Sequence, residues 1–475
     1  MYLEIKNNKP VHKNDIPIDS FKNIKKDLDL KNMRVVQFFV NKEDDKNRLY
    51  CIFTSNEVTE SKAKLFIVSC YIQNSYESIT PNNPALHLFE REIYENWGIK
   101  PIDHPWLKPV RKMDGYSFLK SDDAQTHEVG VGPVHAGIIE PGHFRFLCNS
   151  ERINHLEIQL GYQHRGVEEM IKQSPTIQLA ESICGDSTIA YALTFAKAIE
   201  SLSGIKVDKK SNLIRQIALE MERIAVHIGD LGAIAEDIAY KMGSAVFGVT
   251  RTLVINTMLE ICGSRFGKGL IKIGGVNFDI DKEMSTNIAS TIEEVEFRVD
   301  KMMNAMNNNL SVLSRLENTA TISSKHAKEI GMVGMAARAC GIKIDARKFD
   351  DQDFKIITTE GGDVHSRFYL RYKEIKESKR IIINLLNELE GEIENKNEKI
   401  NLAQNSFVTS ITEAWRGELV HTVITDENGN IEQYKIKDPS FNNWLGLAIA
   451  NRNGQISNFP VCNKSFDLSY CGFDL

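Results

Sequence analysis

The chain has 475 residues, of which 42% are apolar and 26% are charged. This length predicts two or three domains, and the composition is typical of a soluble globular protein with a sizeable core. The net charge of −6 argues against a general nucleic-acid binder. No window approaches the roughly 18 apolar residues of a membrane-spanning helix, and the N-terminus lacks a secretory signal. Eight scattered cysteines suit a reducing cytosol better than a disulfide framework.

Residues 1–115 are predicted to form a small α/β domain. Helices are predicted over Phe21 to Leu30 and Leu86 to Trp97, the second after a Pro-Asn-Asn-Pro turn. Three β-rich runs of strand length lie between the two helices, over residues 35–40, 49–53 and 65–70. A polar linker over residues 116–128 is predicted to lead into a second domain, 129–475.

The second domain is predicted to begin with β-hairpins and to continue as a helical bundle. Gly and Pro punctuation over Val131 to Gly142 predicts a loop that enters a hairpin, and a helix is expected to start near Val167. A helix is predicted over Leu213–Tyr240, where apolar residues recur at three- and four-residue steps, and another over Ser244–Ile261, which is apolar nearly all round and is expected to be buried. Asp281–Leu316, which is long, polar and rich in Met and Asn, is predicted to be an exposed helix or helix pair, and a last helix is predicted over Ser366–Glu390.

A last hairpin is predicted near the C-terminus. Its strands run over Leu419–Thr425 and Ile431–Ile436, and they are joined by Asp-Glu-Asn-Gly, a strong turn signal. The predicted fold class is therefore α+β. It comprises a small N-terminal α/β domain, followed by a large domain of β-hairpin layers around a long helical bundle.

Two stretches have the outline of half a metal site. A Cys-x-x-Cys loop grips a soft metal at about 2.3 Å because it presents two thiolates on one turn. In the first stretch Cys184 is followed three residues later by Ser187, and in the tail Ser469 and Gly472 stand three apart, with Cys471 between them. No Gly-x-Gly-x-x-Gly opening, P-loop or iron–sulfur ligand set occurs, so neither flavin nor nicotinamide is expected, and any cluster must come from another chain.

Several separated motifs resemble those of respiratory enzymes. Phe89 to Ile99, followed by His104-Pro-Trp-Leu, resembles the 30 kDa subunit of complex I. Later segments resemble the superfamily shared by group 4 nickel–iron hydrogenases and the 49 kDa quinone-site subunit of complex I, in a fused order similar to that of formate hydrogenlyase. These segments are residues 132–146, 160–169, 222–237, 263–279, 361–367, 415–419 and 438–441.

The resemblance implies a nickel pocket that has lost its ligands. Hydrogenases of this superfamily hold nickel with two Cys-x-x-Cys pairs. Here Cys184 matches the first thiolate, but Ser187, Ser469 and Gly472 stand at the other three positions, and Cys471 is one residue out of register. Serine is a hard, weakly acidic ligand and glycine offers none. We therefore expect no nickel–iron centre, and a pocket that is either vestigial or open to a quinone.

The resemblance also implies four proton-handling residues. Glu140 lies on the loop that carries a relay glutamate in hydrogenases and a quinone-loop histidine in complex I, and His143 is close by. Asp237 matches an acid that supports this loop, and Glu181 stands where a quinone pocket has a tyrosine. The structural alternatives are a solvated Glu140 or its ion pair with Arg145, a surface acid at Asp237, and a helix cap at Glu181.

Three further residues are implied to bind or tune a cofactor. His164 and Arg165 match the corner near the partner's cluster, where a guanidinium raises the reduction potential. Arg416 matches the arginine held against the diatomic ligands of iron, and its alternative role is packing and ion pairing at a strand start. Asp186 is required by neither inherited chemistry, and Tyr191 replaces a histidine that many hydrogenases carry.

The function implied is that of an oxidoreductase subunit on the cytoplasmic face of a membrane-bound complex. Electrons would arrive from a 4Fe–4S cluster in a small subunit similar to the 20 kDa subunit of complex I. The other expected partners are a ferredoxin-like subunit and antiporter-like and proton-channel-like membrane subunits that translocate ions. Two alternatives remain open: an active hydrogenase with unusual ligands, and a non-catalytic scaffold.

Overall fold

The computed structural model describes residues 2–30, 33–43, 45–55, 64–112, 115–137, 139–349, 354–394 and 399–475. The fold is α+β, as predicted from the sequence. The strands are β1 Leu3–Ile5, β2 Val11–His12, β3 Met33–Glu43, β4 Lys46–Ser55, β5 Leu65–Ile72, β6 Ser75–Glu77, β7 Lys100–Ile102, β8 His127–Val131, β9 His143–Asn149, β10 Arg152–Gln159, β11 Ile271–Lys272, β12 Gly275–Val276, β13 Ser406–Ala414, β14 Gly417–Thr425 and β15 Ile431–Lys437. The helices are α1 Phe21–Leu30, α2 His87–Trp97, α3 Val167–Gln173, α4 Ile177–Glu181, α5 Thr188–Ser203, α6 Lys209–Asp237, α7 Lys241–Cys262, α8 Lys282–Asn307, α9 Leu310–Leu316, α10 Ser324–Glu329, α11 Gly334–Arg338, α12 Val364–Asn387, α13 Pro439–Ala450, α14 Phe459–Phe466 and α15 Tyr470–Asp474.

The N-terminal sheet has the strand order β1-β5-β4-β3 and is antiparallel. Its central strands are apolar on both faces, and Phe38, Leu49 and Ile67 are fully buried. The predicted α1, α2 and β3–β5 are confirmed, whereas the short strands β1, β2, β6 and β7 were not predicted. Strands of two or three residues carry too few side chains for alternation to reveal them.

The N-terminal segment joins a sheet of the C-terminal region. Strand β2 pairs with β13, so the second four-stranded sheet has the order β15-β14-β13-β2. Above it the Tyr50 ring stacks on Phe407 with 5.9 Å between centroids. Arg34 donates two hydrogen bonds to the buried Glu418, at 2.9 and 2.6 Å. The predicted boundary at residues 116–128 therefore divides sequence segments that share a core.

A bundle of long helices forms the centre of the large region. Helices α6, α7, α8 and α12 pack against one another, and three of them begin at a capping aspartate. Asp208, Asp281 and Asp363 each accept a hydrogen bond from the main-chain N–H three residues on, at 2.7 to 2.8 Å. Such caps satisfy N–H groups that have no partner within the helix. The predicted helices are confirmed, and the segment from Asp281 is the helix pair α8 and α9.

Helix α7 departs from its prediction. It was expected to be buried on all sides, but only one face is buried, through Phe247 and Val254 among others. Met242, Val249 and Leu259 on the opposite face are 55%, 58% and 42% exposed. Both faces are apolar, so the sequence carries no periodicity that would distinguish them. Among the described helices, α7 alone has the length and composition of a membrane span.

The C-terminal tail is held against the predicted β9–β10 hairpin and the corner that follows it. The Asp474 carboxylate accepts hydrogen bonds from the N–H groups of Gly161 and Gln163 at 2.7 and 2.8 Å. A Cβ at Gly142 would lie 2.6 Å from the Tyr470 ring, so the loop between β8 and β9 approaches the tail as closely as glycine allows. This contact places the loop between β8 and β9 beside the C-terminal tail.

Candidate functional site

Three segments meet at the site: the loop between α4 and α5, the turn between β13 and β14, and the tail around α15. The Cys184 Sγ lies 3.2 Å from the Ser469 Oγ, which lies 3.6 Å from the Cys471 Sγ. Cys184 and Ser469 are each 1% exposed. The two halves singled out in the sequence are therefore adjacent in space. We call Cys184, Asp186, Arg416, Ser469 and Gly472 the inner wall.

An ion pair occupies the centre of the inner wall. The Arg416 guanidinium donates to both carboxylate oxygens of Asp186, at 2.6 and 2.8 Å. It also donates to the Asp467 carbonyl at 2.6 Å and contacts the Cys184 Sγ at 3.5 Å. Burial acts to raise the pKa of Asp186, but the Arg416 charge outweighs it and lowers the pKa. Asp186, which the inherited chemistry does not require, is thus the partner of Arg416.

The turn that carries Arg416 depends on a glycine. Gly417 has φ of +137°, and a Cβ there would lie 2.5 Å from the Cα of Gly334. The Trp415 indole N–H donates to the Asp186 carbonyl at 3.0 Å. The Trp-Arg-Gly motif therefore fixes the turn, the guanidinium and the loop that faces it.

The inner wall does not fit a nickel–iron centre. A Cβ at Gly472 would lie 2.5 Å from Asp438 Oδ2, an oxygen that also accepts the Tyr191 hydroxyl hydrogen at 2.6 Å. The space for a fourth thiolate is thus filled by a carboxylate. The remaining donors are two thiols, the hydroxyls of Ser187 and Ser469, and carboxylates, whereas such a centre needs four soft thiolates. Within the described residues, no group of three or more His, Cys, Asp or Glu is placed to hold a metal ion.

A cavity of about 590 Å³ lies in front of the inner wall. This volume is within the range of small-molecule sites, which is roughly 300–1,000 Å³. Both ionisable and apolar side chains line it. We call His135, Glu140, Asp237 and Lys464 the outer rim. The other lining residues are Val131, Ile139, Phe144, Asp186, Ala233, Glu236, Arg416, Phe459, Pro460, Asn463, Asp467, Leu468 and Tyr470.

Glu140 connects the outer rim to the inner wall. Its carboxylate accepts the Cys471 N–H at 3.2 Å. Arg145 pairs instead with Glu128 at 3.0 Å, so the alternative of a Glu140–Arg145 ion pair is wrong. His135, which was not singled out in the sequence, also lines the cavity, and its Nε2 bonds the Gly142 carbonyl at 2.9 Å.

Asp237 and His143 differ in their relation to the cavity. Asp237 is the last residue of α6 and lines the cavity, where surrounding atoms raise its pKa, although the Lys464 charge opposes the shift. The His143 Nδ1 bonds the Gly132 carbonyl at 3.1 Å, and its ring packs against Phe118. Burial lowers the pKa of His143. It therefore holds the loop from outside rather than lining the cavity.

Glu181, His164 and Arg165 lie behind the inner wall. The Glu181 carboxylate accepts the Gly269 N–H at 2.7 Å and does not line the cavity, and burial raises its pKa. Arg165 donates to the carbonyls of Ser182 and Ile183, each at 3.0 Å, directly before Cys184. The His164 Nδ1 bonds the Asp474 carbonyl at 2.7 Å. These contacts position the loop, and the role of Arg165 and His164 toward a partner's cluster stays a prediction.

A pair of acids that was not predicted from the sequence, Asp230 and Asp467, lies at the cavity, and Asp467 lines it. Asp230 and Asp467 are hydrogen-bonded to each other and share Lys464, whose Nζ is 3.5 and 2.8 Å from their carboxylates. Arg371 donates to Asp230 at 2.9 Å. Burial, followed by the Asp467 charge, raises the pKa of Asp230 to about 7. The available signal was spacing, because Asp230 is two helical turns before Asp237 and shares its face of α6.

Two family descriptions match this chain. Residues 240–410 match the family described as respiratory-chain NADH dehydrogenase, 49 kDa subunit. Residues 13–126 match the family described as respiratory-chain NADH dehydrogenase, 30 kDa subunit. The order of the two matches agrees with the fused arrangement that the motifs indicated.

Individual relatives come from both branches of this superfamily. The chain is 30% identical to an NADH-quinone oxidoreductase subunit of Carboxydothermus hydrogenoformans over 356 residues, 72% of this chain and 97% of that one. It is 29% identical to the membrane-bound hydrogenase subunit alpha of Pyrococcus furiosus over 365 residues, 72% and 85% of the two chains. It is 26% identical to formate hydrogenlyase subunit 5 of Escherichia coli over 435 residues, 83% and 76% of the two chains.

A solved structure shares the fold. A chain from the structure of the membrane-bound sulfane sulfur reductase, an archaeal respiratory membrane complex, superposes with a TM-score of 0.68 at 21% identity. The match covers 75% of this chain and all of the other.

Proposed function

Since this chain belongs to the family of complex I 49 kDa subunits and group 4 hydrogenase large subunits, we propose that it is a nickel-free oxidoreductase subunit of a membrane-bound respiratory complex. In this proposal its cavity receives electrons from an iron–sulfur cluster of a neighbouring subunit. A small two-electron acceptor of the quinone class binds in the cavity and takes up protons there.

The observation that carries the proposal is the filled inner wall facing an open cavity. Asp186, Arg416 and Asp438 occupy the region where a metal would need soft ligands. The cavity in front of them keeps its volume and its ionisable lining. A site that had lost all chemistry would have no need to hold buried charges beside an open cavity, because such charges are costly.

Proton supply follows from the outer rim. Reduction of a quinone takes up two protons, and a group within hydrogen-bond reach must donate them. Glu140, Asp237 and Lys464 all line the cavity. Asp467 lines it too and is hydrogen-bonded to Asp230. An acid with a pKa near 7, such as Asp230, can both lose and regain a proton near neutral pH. We propose that this group of acids restores the protons consumed in the cavity.

The partners follow from the same proposal. The cluster would belong to a small iron–sulfur subunit, bound on the side where Arg165 supports the Cys184 loop. A ferredoxin-like subunit would supply electrons to this cluster. Antiporter-like and proton-channel-like membrane subunits would use the energy released for ion translocation. The chain would lie on the inner face of the cell membrane, held there by these subunits.

The test is reduction of a water-soluble quinone by the purified complex, with Glu140→Gln compared to wild type. Glutamine keeps the acceptor for the Cys471 N–H but cannot exchange a proton. We expect the variant to lose about 100-fold in quinone turnover, the usual size of a general-acid contribution. Glu151→Gln, at the exposed turn between β9 and β10, is the matched control and should be unaffected.

The same assay separates the two alternatives. Hydrogen evolution by the purified complex would identify a hydrogenase with unusual ligands and contradict the proposal. Full quinone turnover by Glu140→Gln together with Cys184→Ala, with all partner subunits retained, would place the acceptor elsewhere and leave this chain as a scaffold.

A further inference from the structure

Cys184 of the inner wall and the neighbouring Cys471 lie against the same hydroxyl group. The Ser469 Oγ contacts the Cys184 and Cys471 sulfur atoms at 3.2 and 3.6 Å. All eight cysteines lie in described residues and none forms a disulfide. Of these eight, Cys471 is the one that is partly exposed, while Cys184 behind it is buried.

The backbones that carry the thiols are fixed on both sides. The loop of Cys184 is held by two hydrogen bonds from Arg165 and by the Ser187 N–H, which donates to the Cys184 carbonyl at 3.1 Å. Cys471 is held by the Glu140 carboxylate on its N–H and lies in α15, whose N-terminal N–H at Gly472 donates to Ser469 Oγ at 2.9 Å. Fixed, adjacent groups react with a high effective concentration.

We propose that Cys184 and Cys471 are a redox-active dithiol that closes reversibly to a disulfide by exchange with a low-molecular-weight disulfide. This inference does not depend on the quinone proposal, because it concerns only the two thiols and an external disulfide. It assigns a two-electron couple to the region where relatives place thiolate ligands.

The exchange has two balanced steps. The Cys471 thiolate attacks one sulfur of the small disulfide, a mixed disulfide forms, and one small thiolate leaves. Cys184 then attacks the Cys471 sulfur, so that the protein disulfide forms and the second small thiolate leaves. The two protein thiols lose two electrons and two protons, and the small disulfide gains them as two thiols.

The neighbours of Cys184 suit it to the second step. The Cys184 thiol donates to Asp186 Oδ1 at 3.0 Å, and the Arg416 guanidinium lies 3.5 Å from its sulfur. The neighbouring Cys471 thiol, burial and the Asp186 charge raise the pKa of the Cys184 thiol, and the Arg416 guanidinium opposes them by favouring negative charge on the sulfur. Cys184 therefore stays protonated until a mixed disulfide on Cys471 lies beside it. The exposed Cys471 therefore meets the reagent and the buried Cys184 resolves the mixed disulfide.

Closure would lock the site. A bond between Cys184 and Cys471 ties the loop before α5 to α15, and it fixes the main-chain N–H that Glu140 holds. The oxidised pair would thus restrain the Cys184 loop against the part of the tail that Glu140 contacts. In the reduced pair, the Cys184 side chain meets the tail through its hydrogen bond with Ser469 Oγ.

The experiment treats the purified full-length protein with dithiodipyridine, a small disulfide that releases a coloured thiopyridone at each step. Wild type should release two equivalents from the native fold, and peptide mapping without reduction should show a Cys184–Cys471 cross-link that dithiothreitol removes. Cys184→Ser should release one equivalent and keep the mixed disulfide on Cys471. Cys462→Ser, which removes another buried cysteine of the tail region, is the matched control and should behave as wild type.

Two results would overturn the inference. One is a stable mixed disulfide on Cys471 of the wild-type protein with Cys184 still free. The other is no reaction at Cys471 of the native protein when the denatured protein reacts fully. Both are read from wild type, so the inference remains testable if Cys184→Ser fails to fold.

Discussion

The inner wall and the outer rim face the same cavity but are built in opposite ways. Inner-wall charges are paired and tightly packed, as in the two hydrogen bonds from Arg416 to Asp186. Outer-rim groups such as Glu140 and Asp237 are partly open to the cavity and make few fixed contacts. One wall of the cavity is therefore built for structural support, and the proposed function assigns proton exchange to the other.

The largest effect should come from breaking the inner-wall ion pair. Arg416→Leu leaves Asp186 without its partner, and removal of one member of a buried pair costs about 3–5 kcal/mol. Because the Asp186 side chain is 39% exposed, we expect a loss nearer the lower end. The measurement is the chemical denaturation midpoint.

Two variants act as controls for this comparison. Arg416→Leu combined with Asp186→Asn should recover part of the loss, since no unpaired charge remains. Arg145→Leu breaks the partly exposed pair with Glu128, and it should cost less than about 1 kcal/mol. If Arg416→Leu and Arg145→Leu lose equal free energy of unfolding, the inner-wall ion pair contributes no more to stability than the partly exposed Arg145–Glu128 pair.

The next effect comes from the space at Gly472. Gly472→Ala places a Cβ against Asp438 and Ser469, and we expect it to destabilise the fold by about 1–3 kcal/mol because the site is already packed. Gly472→Cys should destabilise the fold by as much, because cysteine also adds a Cβ at this position. If either variant is as stable as wild type, the inner wall has room for a ligand that we consider excluded.

A pH dependence of stability is expected from Glu222, which lies behind the inner wall and accepts the N–H groups of Ile189 and Ala190 at 2.7 and 3.3 Å. Burial raises its pKa to about 8. A raised carboxyl pKa means that stability is present at low pH and is lost as pH rises through 8. Glu222→Gln should therefore flatten the dependence of denaturation midpoint on pH between about 4.5 and 8.

The smallest change in stability is expected at the outer rim. Asp237→Asn removes an exposed charge and should alter the free energy of unfolding by less than about 0.5 kcal/mol. It should nevertheless change the pH profile of quinone turnover, because Asp237 lines the cavity and burial raises its pKa. An unchanged profile would remove Asp237 from the proton path.

The long elements of the fold were predictable, and the reasons are local. Regular apolar spacing marked α6, a long polar run rich in Met and Asn marked α8, and the Asp-Glu-Asn-Gly turn marked the β14–β15 hairpin. Strand β13 and the three helices of the tail were not predicted. The tail helices are short, from 5 to 12 residues, and their stability comes from packing against elements that are distant in the sequence, such as α6 and β10.

The site was predictable in part. Sequence order could align Cys184 with Ser469 and Cys471, because both stretches carried half of a known motif. It could not pair Asp186 with Arg416, which is 230 residues away along the chain, or place Asp438 over Gly472, because both contacts depend on tertiary packing. His143 and Glu181 were predicted to handle protons in the pocket because of their positions in the motifs. In the structure their side chains bond the Gly132 carbonyl and the Gly269 N–H and do not line the cavity.

Elemental analysis of the purified intact complex tests most directly whether the cavity works without nickel. We expect iron from the partner's clusters and no more than trace nickel per copy of this chain. Near-stoichiometric nickel that persists through gel filtration would contradict it.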